Sequence, residues 1–308
     1  MAFTAKDVQT LREKTGVGMM DCKKALVEAD GDMDKAVDIL REKGLASAAK
    51  KASRVAAEGI VAACSDATAG ALVEINCETD FVAKGAPFVA LSAKVAKTVI
   101  TAKPADVEAL LATKAVDSDK TVDEEVQEVF LALRENMKIR RFALVEGHTS
   151  TYIHAGGTVG VIVAFDTDDA TAAKAEFAEM GKNVAMQVAA MNPAYLDEAA
   201  VPAEVIEKEK AILIAQMKED PKMANKPEQV LGKIVEGKIG KYYKENCLLN
   251  QDFVRSDLFE GAVSGYVASV AKALGADIKV TSFVRFEKGE GIEKKQDDFA
   301  AEIASMMQ

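Results

Sequence analysis

One pattern occurs twice in this chain and limits how it can fold. GALVEINCETD (70–80) and TVGVIVAFDTD (158–168) each read as an apolar strand that runs into an acidic turn. A helix follows each one. Behind the first, Phe88, Leu91, Val95 and Val99 are spaced three and four apart, with Pro87 suited to the helix's first turn. Behind the second, Phe177, Met180, Val184 and Val188 repeat those spacings. The closing strands also correspond, IRRFALVEG (139–147) to VTSFVRFEKG (280–289). The pattern predicts an α+β fold with a duplicated core and antiparallel strands. GIVAACSD (59–66) supplies a hairpin partner for the first repeat, through an ATAG turn. Helices are expected over 104–115 and 122–137.

Around this core the sequence adds other parts. Residues 4–43 read as three short helices: Thr4 can cap the first, Asp21 the second and Asp32 or Asp34 the third, which stops at Gly44. The alanine-rich stretch that follows reads as a tether. In the second half, AEVIEKEKAILIAQM (203–217) and QVLGKIVEGKIGKYY (229–243) form two amphipathic helices joined by a proline-containing turn, an antiparallel helical hairpin. The expected units are a three-helix domain at 1–45, a linker at 46–57 and a first core subdomain at 58–147. A second subdomain spans 148–286, with the hairpin inserted at about 200–245, and a carboxy-terminal module covers 287–308.

Bulk properties exclude several classes of function. A net charge of −10 argues against a general nucleic-acid binder, which needs clustered Lys and Arg. No run of about 18 apolar residues offers a membrane span, and the amino terminus has no apolar signal core. Cys22, Cys64, Cys77 and Cys247 are scattered without a CxxC pair, which fits idle thiols in a reducing cytoplasm better than a metal site. His148 and His154 both fall in the loop-like GHTSTYIHAGG. The glycine-rich AGGTVG (155–160) leads into a strand and so lacks the helix N-terminus that holds phosphate. No catalytic constellation emerges. What remains is a set of apolar residues in awkward places: Met19 and Met20 side by side after GVG, and Phe81 in an acidic turn. Periodicity alone would fold Phe81 back into the core.

LREKTGVGMMDCKKAL (11–26), INCETDFVAK (75–84), NMKIRR (136–141) and FEKGEGIEKKQDDFAAEIA (286–304) together resemble the bacterial translation elongation factor Ts family. The resemblance covers essentially the whole chain. It implies a guanine nucleotide exchange factor for the GTPase elongation factor Tu, with no catalysis, cofactor or metal of its own. It further implies that the amino-terminal bundle, similar to ubiquitin-associated domains, docks on the GTPase through Arg12, Met19 and Met20. Thr79, Asp80, Phe81 and Val82 would then enter beside the nucleotide's Mg²⁺, and His154 would contact the region of the phosphate loop. A carboxy-terminal helix at about Asp297–Met307 would also pack on the GTPase. The hairpin could make a homodimer. Two other readings stay open on the residues: an enzyme built around His154 and the glycine loop, and a scaffold whose hairpin is its interaction arm.

Overall fold

The computed structural model describes residues 3–51, 53–219 and 226–293. The expected carboxy-terminal helix lies outside them, as does most of the turn between the two hairpin helices.

Helices α1 (Ala5–Thr15), α2 (Met19–Glu28) and α3 (Met33–Lys51) pack around Val8, Leu11, Val17, Cys22, Leu26 and Leu40. Thr4 and Asp7 cap α1 reciprocally, each side chain accepting the other's backbone N–H. Asp32 starts α3 by accepting the N–H groups of Asp34 and Lys35, both at 3.0 Å. Asp21 does not cap α2; the helix begins at Met19, so both methionines lie in its first turn.

The third helix does not stop at Gly44, and the segment read as a tether is helical as far as Lys51. Gly44 is used for close approach: a Cβ there would run into the side chain of Leu131. Leu131 belongs to helix α7 (Val122–Leu133) yet is buried in the bundle's own core. Arg41 crosses the same seam to Glu124 at 2.8 Å.

Two three-stranded antiparallel sheets form the centre of the protein. One is β1 (Glu58–Ser65), β2 (Ala69–Cys77) and β3 (Lys138–Glu146) in that order; the other is β4 (His148–His154), β5 (Val159–Asp166) and β6 (Lys279–Glu287). The middle strands β2 and β5 are buried almost throughout, as expected of strands covered on both faces. The register shifts by one residue opposite Glu74 and Ile75, where β3 bulges at Arg140, and opposite Ala164 and Phe165, where β6 bulges at Thr281. Val61, Leu72, Ile162 and Phe286 interlock between the sheets. GHTSTYIHAGG is thus a strand and a turn, not a loop. Its Thr and Ser hide the strand from a composition-based reading, but β4 pairs with β5 at every residue from His148 to His154.

Each middle strand leads into a four-residue helix, α4 (Asp80–Ala83) or α8 (Asp169–Ala172), and then a long one, α5 (Ala86–Ala102) or α9 (Ala175–Met191). The apolar positions read from spacing on both long helices are buried. Helix α6 is shorter than expected (Val107–Ala112), since Asp106 caps it by accepting the Ala109 N–H at 2.8 Å. Helix α7 stops at Leu133, where Arg134 turns left-handed with φ 60°. The second half interposes α10 (Ala203–Glu219) and α11 (Glu228–Asn246) before α12 (Val263–Leu274). This excursion leaves and returns at one place, because the N–H groups of Ala194 and Tyr195 both reach the Asn246 carbonyl. Ile206, Leu213, Met217, Val235 and Ile239 give it a core of its own.

Glu74 anchors the chain beyond β6. It is fully buried and accepts from Gly289 N–H at 2.7 Å, Arg141 Nε at 2.6 Å and Arg140 at 3.0 Å. The Arg141 guanidinium also lies 4.2 Å from the centre of the Phe286 ring.

Candidate functional site

The β2–α4 turn explains how Phe81 stays outside. Thr79 is extended and its hydroxyl accepts the Val82 N–H at 3.3 Å, which starts a helix of a single turn. One turn offers one inward face, and Val82 and Ala83 fill it. Phe81 is left on the outer face, 84% exposed. The turn is tied down from several sides. The Cys77 thiol donates to the Thr79 carbonyl at 3.2 Å, and Glu78 accepts the Asn136 N–H at 2.7 Å. The Glu135 carboxylate accepts from Thr79 as well. Burial, and then the charge of Glu135, push the Cys77 thiol up to about 12.

Asp80 stands beside Phe81 with Oδ2 2.6 Å from Lys84 Nζ. This hydrogen bond, with the charge of Lys84 behind it, holds the carboxyl below its ordinary range. Lys288 adds a smaller positive influence. It also joins two regions, because its side chain pairs with Glu58 and its backbone N–H reaches the Thr158 carbonyl at 2.9 Å. Thr158 belongs to the turn that follows His154, and Gly157 in that turn accepts the Val61 N–H at 2.8 Å. The Asp80–Phe81 turn and the His154 turn therefore both flank the start of β1. His154 is exposed, and its Nδ1 lies 3.1 Å from the Tyr152 hydroxyl.

Arg12, Met19 and Met20 sit apart from this pair, on the bundle. Arg12 is exposed, and Met19 and Met20 are 43% and 63% exposed at the start of α2. The bundle meets the turn region where the Asp21 carboxylate lies 3.2 Å from Arg134. Val27, also exposed, shares Met20's face seven residues on, and that spacing was its one signal in sequence. Glu135 had no local signal, since the groups it holds are some 56 residues away.

The second half repeats this turn with different residues. Asp168 takes the place of Thr79 as the cap, Asp169 that of Asp80, and Ala170 that of Phe81. The fold therefore closes this turn without an aromatic.

Among the described residues no group of three or more His, Cys, Asp or Glu could hold a metal ion, and no helix is long and apolar enough to cross a membrane. The other histidine, His148, lies 3.1 Å from Asp169 at the opposite end of β4 from His154.

Comparison with known proteins shows what the chain is similar to. The family model described as "Elongation factor TS" matches residues 78–290. Elongation factor Ts of Syntrophotalea carbinolica is 47% identical over 310 residues, covering 99% of each chain. That of Clostridium perfringens strain SM101 is 49% identical over 309 residues, again covering 99% of each. The Clostridium botulinum strain 657 protein is 47% identical over 313 residues, covering 99% of this chain and 98% of its own.

Proposed function

The chain belongs to the elongation factor Ts family of protein-biosynthesis factors, and we propose that it promotes release of GDP from elongation factor Tu. The observation that carries this reading is Phe81, a large apolar side chain on the outside of a turn braced from several sides. Such a residue is ready to enter a partner. Its counterpart Ala170 argues that the aromatic is not there for the fold.

In this mechanism the amino-terminal helices act as a bundle similar to ubiquitin-associated domains and dock on the GTPase through Arg12, Met19 and Met20. Flexible thioethers suit such an adaptable contact. Docking brings Thr79–Val82 to the nucleotide site, where Phe81 wedges between packed elements of the GTPase. Asp80 adds a charged carboxylate near the Mg²⁺. Such an ion tolerates little departure from octahedral oxygen coordination, so a carboxylate brought beside it would loosen the hold on GDP. His154 ends β4 just before the neighbouring turn and contacts the region of the phosphate loop. Protein and nucleotide each weaken the other's binding by the same factor, so incoming nucleotide can expel the exchange factor. No bond is made or broken on this chain, and the protein acts in the cytoplasm on a protein partner rather than on RNA. The α10–α11 pair is an antiparallel hairpin arm available for a second copy.

The test is release of a fluorescent GDP analogue from elongation factor Tu, with and without equimolar protein. Faster release is expected; an unchanged rate overturns the proposal.

A further inference from the structure

The segment that leaves α7 is built differently from its counterpart in the second half. Helix α7 ends at Leu133 and Arg134 turns left-handed; α12 ends at Leu274 and Gly275 does the same, with φ 64°. The strands that follow pair alike, since Ile139 faces Ile75 and Val280 faces Phe165, each just past a bulge. Arg134–Glu135–Asn136 therefore stand where the other half has Gly275–Ala276–Asp277. Glycine is the relaxed residue for a left-handed position. The second half thus closes its own connection with Ala276, and no carboxylate, where the first half has Glu135.

The bonds of Glu135 show what the carboxylate adds. Oε2 accepts the Glu78 N–H at 3.1 Å and the Thr79 N–H at 2.9 Å, while Oε1 accepts the Thr79 hydroxyl at 2.6 Å. The same Thr79 oxygen accepts the Val82 N–H. Three donors thus converge from the turn that carries Phe81 onto one carboxylate. In the second half Asp168 caps its own turn, accepting the N–H and hydroxyl of Thr171, both at 2.8 Å. That turn carries Ala170, and Ala276 has no group with which to clamp it. The second turn is tied to its own connection by the Thr167 hydroxyl, which donates to the Asp277 carbonyl at 2.9 Å; the carboxylate clamp is what accompanies the exposed aromatic.

A four-residue helix is far too short to hold its own shape. Charge-assisted hydrogen bonds, about twice as strong as neutral ones, can hold it from outside. We propose that Glu135 is a positioning residue: it fixes Thr79–Asp80 so that Phe81 is presented to the partner already in place. This rests on the exchange reading above and adds that exchange depends on a pre-formed turn. Without the clamp Phe81 remains in the chain, but part of the interaction free energy goes into ordering it.

The test compares Glu135→Ala, which installs the residue of the second half, with Glu135→Gln, each alone and combined with Phe81→Ala. Two quantities are read: the maximal rate of fluorescent GDP release from elongation factor Tu, and hydrogen exchange at the amides of Glu78 and Thr79. Glu135→Ala should slow maximal release about tenfold, the scale of one charge-assisted bond. It should also speed exchange at those two amides by about tenfold or more, with Leu72 and Val73 unchanged. Glu135→Gln, whose amide oxygen can still accept both N–H groups, should recover part of the rate. In the Phe81→Ala background Glu135→Ala should cost nothing further. An equal slowing in both backgrounds would mean general destabilisation and would overturn the proposal, as would a normal release rate despite faster amide exchange. If the unmutated protein leaves GDP release unchanged, the exchange reading falls. The Glu78 and Thr79 amides then still decide whether Glu135 holds the turn, and unaltered exchange would overturn that as well.

Discussion

Phe81 and Phe88 are seven residues apart on consecutive helices, yet Phe81 is 84% exposed and Phe88 is completely buried. Truncating the two should separate function from stability. Emptying the Phe88 site should cost about 3–5 kcal/mol. Phe81→Ala should change stability by no more than about 0.5 kcal/mol, as for surface positions in general. Thermal or denaturant unfolding of the two variants checks this. A large loss for Phe81→Ala would return that residue to the core.

Asp80 should act as a fixed charge. Its hydrogen bond to Lys84 and the charge of Lys84 hold the carboxyl below its ordinary range, so it is ionised throughout the neutral range. The ratio of GDP-release rates between the unmutated protein and Asp80→Asn should therefore be constant between about pH 6 and pH 8. A ratio that shrinks toward one at the acid end would show Asp80 taking up a proton there.

Glu74 should set the acid limit of the fold around β2. Burial pushes its carboxyl up, but the Gly289 amide, Arg141, Arg140 and Asn76 outweigh it and leave the group below its ordinary value. A lowered folded pKa gives stability that is complete above the unfolded carboxylate's pKa and is lost as pH falls through the folded one. Glu74→Gln should cost about 3 kcal/mol at neutral pH. That is the low end for breaking a buried pair, since Arg140 and Arg141 keep some contact with solvent. The penalty should narrow on acidification, which melting curves across that range would reveal.

The cysteines should be inert in the folded protein. Burial raises the thiols of Cys22 and Cys64, pushes Cys247 up to about 11 and, with Glu135, takes Cys77 to about 12. Only the thiolate reacts, so a thiol reagent at neutral pH should modify all four rapidly in denaturant and none rapidly without it. Mass spectrometry of the labelled protein distinguishes these outcomes.

Much of the fold was legible because local chemistry and tertiary structure agreed. Phe88, Leu91, Val95 and Val99, with their counterparts in α9, are buried where their spacing put them. The misreadings came where distant contacts override local signals. Gly44 looks like a helix stop, but its partner is Leu131, far along the chain. The Thr- and Ser-rich β4 becomes a strand through β5 and the facing sheet. At the site, spacing alone would have buried Phe81. Its exposure follows from the shortness of α4, whose inner face Val82 and Ala83 already fill. Glu135 could not be found locally, because hydrogen bonds across 56 residues leave no mark on neighbouring sequence.

The most direct measurement is the maximal rate of fluorescent GDP release from elongation factor Tu at saturating concentrations of the unmutated protein and of Phe81→Ala. The expected result is strong acceleration by the former and a rate at least about tenfold lower for the variant, a loss of about 1.4 kcal/mol or more of transition-state stabilisation, with unchanged melting. Equal rates for the two proteins, or no acceleration by either, would contradict it.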